Sequence, residues 1–151
     1  METKKRILAI GGHVGDMELA AGGLLATGAV QGGTVMTLAL TAGEKGGPAG
    51  VSPQEHRIQK LREAETFAGM LNGTAKVLNY SDGLLPDTDE VRFEVCDVIR
   101  EFKPDVIITH HHSSMHKDHR TCRRIVDDAR YYAAVPGFER EQPAHGVREM
   151  Y

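Results

Sequence analysis

A chain of 151 residues with a formal net charge of −3, ordinary apolar content and no Trp is long enough for one domain with a buried core. The balanced charge argues against a nucleic-acid or anionic-membrane surface, and the few aromatics argue against a base-stacking face. Two cysteines, Cys96 and Cys122, are too few for a disulfide framework and read as buried or half-buried thiols inside helices. The start, Met1 to Arg6, is charged. The apolar run after it ends at Gly11-Gly12, too short for a signal-peptide core or a membrane span, so the expectation is a soluble cytoplasmic protein.

Arg6 to Ile10 predicts a strand buried on both faces, as in a parallel sheet. A helix follows from Met17 to Gln31, started by Asp16 or a neighbour and stopped by Gly32-Gly33. Thr34 to Thr41 is rich in β-formers and predicts the second strand. Ala42 to Gly50 has the composition of a flexible loop, and Gly43 to Gly50 reads as a mobile lid near the site, with a long turn as the alternative. Ser52 as N-cap and Pro53 at the first helical position begin a helix that runs to about Leu71. Lys76 to Tyr80 is the third strand, followed by a turn at Ser81-Asp82-Gly83. Thr88 or Asp89 caps a helix to about Phe102, Pro104 to Ile108 is the fourth strand, and Arg120 to Ala134 is a helix. Beyond Val135, Pro136, Gly137, Pro143 and Gly146 break the pattern, and Val147 to Tyr151 begins a further strand. The alternation predicts an α/β fold with a doubly wound parallel sheet, one domain over residues 1–151. Ending on a half-strand, it reads as truncated at the C-terminus or completed by a partner chain.

Five of the eight histidines fall between Thr109 and His119, in the loop after strand four, where α/β proteins place their chemistry. His13-Val14-Gly15-Asp16-Met17-Glu18 occupies the corresponding place after strand one. Doubly wound order makes strands one and four neighbours, so the two loops open a single crevice. His13 and Asp16, and likewise His116 and His119, stand at i, i+3 around a helix start and can face one point. A carboxylate and two imidazoles with one position left open is catalytic metal chemistry rather than a closed structural site. Such a metal brings a bound water to a pKa of roughly 7. The competing reading is a solvated loop with a weak histidine tract at His110-His111-His112. A dinucleotide site is disfavoured, because Gly11 to Gly15 lacks G-x-G-x-x-G and no acidic residue ends strand two. His56 is placed on an exposed helix and His145 has no assigned partner. Asp127-Asp128 and Glu139-Arg140-Glu141 read as solvated, and Met17, Met36 and Met70 as core filler.

At these residues the chain resembles the PIG-L/LmbE-like family of zinc-dependent N-deacetylases. His13-Val14-Gly15-Asp16-Met17-Glu18 with Gly22-Gly23 is similar to the family's H-P-D-D-x-E…G-G, and Thr41-Ala42-Gly43-Glu44 to its T-x-G-E. Tyr80-Ser81-Asp82-Gly83 is similar to Y-P-D-G, and His116-Lys117-Asp118-His119-Arg120 to H-P-D-H-R. The resemblance implies a Rossmann-like parallel sheet with helices on both faces. It implies removal of an N-acetyl group from an N-acetylglucosamine-type sugar or related small molecule, with Zn2+ or another divalent metal. It implies His13, Asp16 and His119 as metal ligands and His116 as general acid or oxyanion stabiliser. Asp118 becomes a partner orienting an imidazole, with Glu18 and Asp82 in supporting roles. The implied partner is a small acetamido substrate, not nucleic acid or membrane, and a homo-oligomer is compatible with it.

Three departures qualify the resemblance. Gly15 stands where the family has the Asp that serves as general base, and Val14 where it has Pro. Glycine accepts no proton, and loss of a general base costs roughly 10²–10⁴-fold in rate while leaving metal binding intact. Glu44, in the loop after the neighbouring strand, is the spare carboxylate for that role, with His116 as second candidate. Lys60 stands three residues before Glu63 where an Arg is common, keeping the charge without the bidentate fork. Family members also continue past this length, so the expected cleft is open or closed by another subunit. The alternative to a hydrolase is a metal-holding member that binds a ligand or partner without turnover.

Overall fold

The computed structural model describes residues 4–151, and the charged stretch Met1–Thr3 lies outside the described residues. Strands and helices alternate as β1 (Arg6–His13), α1 (Asp16–Val30), β2 (Thr34–Thr41), α2 (Pro53–Met70), β3 (Thr74–Tyr80), α3 (Asp89–Phe102), β4 (Val106–Thr109), α4 (Lys117–Ala134) and β5 (Glu149–Met150). The strands form one sheet in the order β3-β2-β1-β4-β5, with every pairing parallel. The expected α/β class and the expected adjacency of the first and fourth strands are both present. One boundary matters for chemistry. α4 begins at Lys117, three residues before the expected start, with His116 as N-cap. His119 therefore sits in a helical turn rather than a loop.

Successive residues of a strand face opposite sides of the sheet, and both sides here are apolar. Leu8, Ile10, Leu38 and Leu40 pack with Val95, Ile99, Ile125 and Val126 of α3 and α4. Ile7, Ala9 and Val35 pack on the other side with Met17 and Leu25 of α1. Val14, Ala39 and Ala64 make a smaller cluster under α2. Helices thus cover both faces, the arrangement a parallel sheet requires. Ser52 caps α2 reciprocally with Glu55: its Oγ accepts the Glu55 N–H at 3.2 Å, and the Glu55 carboxylate accepts the Ser52 N–H at 2.9 Å. Cys96 and Cys122 are buried free thiols. Among the described residues no helix is long and apolar enough to cross a membrane.

Some expectations fail. Met70 is 76 % exposed and is not core filler, whereas Met17 is buried as expected. The segment after β2 is pinned at its start, where Lys45 donates through its N–H to Asp82 Oδ2 and through Nζ to the Asp82 carbonyl, at 2.9 and 2.7 Å. His56 is buried, not exposed.

Arg100 is an anchor that no sequence pattern announced. It is 2 % exposed, and its guanidinium donates to the carbonyls of Ala133, Gln142, Tyr132 and Val135 at 2.9–3.2 Å. It satisfies carbonyls left open at the end of α4 and ties the following segment to α3. Arg100→Met removes these donors and leaves buried carbonyls unpaired. It is expected to cost about 3 kcal/mol, read as a lower urea midpoint at unchanged slope.

Candidate functional site

β1 and β4 are paired from Ile7–Val106 to Ile10–Thr109, and β4 then stops while β1 continues to His13. The open flank of β1 is filled by side chains. His110 Nε2 lies 2.9 Å from the Gly12 N–H, and its ring stacks on His119 at 3.8 Å between centroids. A Cβ at Gly12 would stand 3.2 Å from the His119 ring, so glycine is what admits this histidine beside β1. Gly15 is the N-cap of α1 at φ 108°, a conformation that suits glycine. Its N–H donates to Glu18 Oε2 at 2.9 Å, so Glu18 closes the start of α1.

Three donor atoms from the end of β1 and the first turns of α1 and α4 converge. His13 Nδ1 is 3.3 Å from Asp16 Oδ2, His119 Nε2 is 3.2 Å from the same oxygen, and the two nitrogens are 3.2 Å apart. A tetrahedral zinc about 2.0–2.1 Å from each ligand would separate its ligand atoms by about 3.3–3.4 Å. The triangle therefore has the size that a zinc-type ion requires, and its donors, two imidazoles and one carboxylate, suit that ion. His116 and His110 border the same point, since His13–His116–His119 and Asp16–His110–His119 each bring one donor apiece within 4.8 Å of one another.

The surrounding groups hold the rings in the matching orientation. His13 Nε2 is 3.0 Å from Asp82 Oδ1 and 3.2 Å from Asp118 Oδ2. Both partners only accept, so Nε2 carries the hydrogen and Nδ1 is left to the triangle. His119 Nδ1 is 3.1 Å from Ser114 Oγ, which leaves its Nε2 to the centre. Asp118, fully buried, also accepts the Gly83 N–H at 2.6 Å. Burial disfavours the charged form of His13, but Asp16, Asp82 and Asp118 outweigh it and hold its pKa up at about 8. Asp16 is half-buried, yet its contacts with His110 and His13 hold it well below the usual carboxylate range. His119 is pushed down to about 4 by burial and by the neighbouring histidines, against the pull of Asp16.

Glu44, expected as a spare base, has its carboxylate elsewhere. Its Oε1 accepts the Asp82 N–H at 2.9 Å and is 3.4 Å from Ser81 Oγ. It buttresses the turn after β3 and is not among the residues lining the site cavity. That cavity, of about 380 Å³, is lined by His13, Asp16, Asp82, His116 and His119, and also by His56 and Lys60. A larger hollow of about 600 Å³ runs along the outer face of α2 and includes none of the converging donors. His56 went unrecognised in the sequence, where its spacing with two alanines gives only a weak signal. His56, Lys60, Ala64 and Ala68 recur every four residues and share one helix face, and that face is the inward one, with His56, Ala64 and Ala68 buried.

The PIG-L family profile, described as GlcNAc-PI de-N-acetylase, matches residues 8–130. The chain is similar to the diacetylchitobiose deacetylase of Thermococcus kodakarensis, 32 % identical over 149 residues, covering 95 % of this chain and 55 % of that protein. It is also similar to the 4-oxalmesaconate hydratase of Pseudomonas putida, 23 % identical over 98 % of this chain and 60 % of that protein. Among solved structures, a conserved protein of Thermus thermophilus superposes with a TM-score of 0.83 at 27 % identity, over 97 % of this chain and 64 % of that one. The chain thus spans little more than half the length of the curated relatives it matches.

The backbone at residue 15 has a consequence for any attempt to restore a carboxylate there. A side chain at φ 108° costs about 1–2 kcal/mol, and its Cβ would stand 3.6 Å from Lys60 Nζ. Gly15→Ala and Gly15→Asp are both expected to lose stability in chemical denaturation. Asp should lose less than Ala, because the Lys60 charge partly offsets the strain.

Proposed function

Because the chain belongs to the PIG-L family, we propose that it is a metal-dependent hydrolase that removes an N-acetyl group from an N-acetylglucosamine-type sugar or a related small molecule. The observation that carries this reading is the triangle of His13 Nδ1, Asp16 Oδ2 and His119 Nε2, with edges of 3.2–3.3 Å. These three residues would hold the ion, zinc by the donor set. When bound, it supplies a water of lowered pKa and polarises the acetyl carbonyl.

The chain's own residues have definable tasks in this reading. Asp82 and Asp118 keep the hydrogen of His13 on Nε2, and Ser114 orients His119. His116 Nδ1 accepts the Asp118 N–H at 3.1 Å, so the ring's hydrogen resides on Nε2. That N–H is available to stabilise the oxyanion formed when the acetyl carbonyl is attacked. Lys60 gives the cavity lining its one Lys or Arg side chain and is suited to a polar or anionic group of the substrate. Gly15 favours a second reading, a metal-holding member that binds such a ligand without turnover.

Purified protein is expected to contain about one zinc per chain by elemental analysis, and His13→Ala and His119→Ala to lose it. At pH 7 the His13 proton must leave as zinc binds, since its pKa is held at about 8. Zinc uptake should therefore release close to one proton per chain, and apparent affinity should rise with pH and level off above about 8. A pH-indicator titration in weak buffer measures both. The hydrolase reading expects acetate from N,N′-diacetylchitobiose or N-acetylglucosamine with the zinc-loaded protein. The second reading expects saturable binding of the same sugars with no acetate.

A further inference from the structure

The hydrolase reading leaves one role unfilled, because residue 15 is a glycine and Glu44, whose Oε1 accepts from the Ser81–Asp82 turn, does not line the site cavity. We propose that His56 is the general base of this site, taking the proton from the attacking water onto Nε2. The proposal rests on the hydrolase reading and adds to it a residue from α2, outside all four sequence motifs.

Three observations carry it. First, His56 is 7 % exposed and lines the same cavity as His13, Asp16, His116 and His119. Second, its Nδ1 lies 3.1 Å from the carbonyl oxygen of Glu44. A carbonyl only accepts, so Nδ1 carries the hydrogen, and in the neutral ring Nε2 is left as a lone pair. Among the described residues Nε2 has no hydrogen-bond partner, and it is not one of the buried orphaned atoms. It is thus free for water or substrate. Third, Gly47 is what makes room for the ring, since a Cβ there would come within 2.9 Å of His56 Cγ.

Compared with His116, the logic is complementary. The Asp118 N–H donates to His116 Nδ1, which puts the hydrogen on Nε2. The Glu44 carbonyl accepts from His56 Nδ1, which puts the lone pair on Nε2. Two backbone groups therefore set opposite tautomers on two imidazoles lining one cavity, one an N–H donor and the other a proton acceptor. The step balances. As the water oxygen bonds to the acetyl carbon, its proton passes to His56 Nε2, and the carbonyl π pair moves onto oxygen beside His116 Nε2–H. Collapse restores the carbonyl and breaks the C–N bond. The nitrogen takes up the proton held by His56, leaving the free amine and acetic acid, which ionises to acetate.

The test uses zinc-loaded full chain, acetate release from N,N′-diacetylchitobiose, and two substitutions. His56→Asn keeps a donor near Nδ1 for the Glu44 carbonyl but has no basic nitrogen. His56→Ala opens space for added imidazole. For both, kcat is expected to fall by about 10²-fold or more with zinc content and KM near wild type, and imidazole should restore His56→Ala but not His56→Asn. Should His56→Ala fail to fold, the kcat of His56→Asn decides alone, its melting temperature showing that it is folded. A kcat within about threefold of wild type in folded His56→Asn overturns the His56 role and leaves the hydrolase reading standing. Wild-type protein that holds zinc but releases no acetate overturns the hydrolase reading and the base role with it.

Discussion

Both nitrogens of the His13 imidazole are committed, and three loops take their positions from that commitment. Nδ1 meets Asp16 and His119, and Nε2 meets Asp82 and Asp118. The loops after β1, β3 and β4 are thereby tied to one ring. Three carboxylates around a single half-buried imidazole are tolerable only if the ring carries positive charge or an ion supplies it, since like charges withdrawn from water without compensation are costly. Asp118 Oδ1 is buried and without a partner, a further sign that the cluster is arranged for something more than the hydrogen bonds within the chain.

Glu44 joins the remaining loop to this hub through two different groups. Its carboxylate accepts from the Ser81–Asp82 turn, and its carbonyl accepts from His56 on α2. Lys45 adds two bonds to Asp82. The segment after β2 is thus a brace between the third strand's turn and the second helix. A carboxylate so engaged holds Asp82 in register with His13.

The cavity is lined from several elements that meet past the ends of the strands. The end of β1 and the first turns of α1 and α4 supply the triangle, and α2 supplies His56 and Lys60. Gly12, Gly15 and Gly47 let backbone and rings approach where a Cβ would intrude or be strained. Far from the site, Arg100 does the analogous work for the end of α4, meeting backbone carbonyls with one guanidinium.

Sequence alone determined the alternation of strands and helices, the adjacency of β1 and β4, and the convergence of His13 and Asp16 with the second histidine loop. Those features follow from local periodicity, from helix starts and from the handedness of crossovers, all of which act over short stretches of chain. Tertiary structure alone decided that Glu44 turns to Asp82, that His56 faces inward, that His110 stacks beneath His119, and that Met70 stays outside. The reason is common to all four: each is a choice between two faces or two partners equally open to the residue, made by whichever element packs against it. For His56 the inward face of α2 is marked chiefly by alanines, too weakly apolar to reveal a buried stripe. For Glu44 the partner lies 38 residues away, and no spacing rule joins the two.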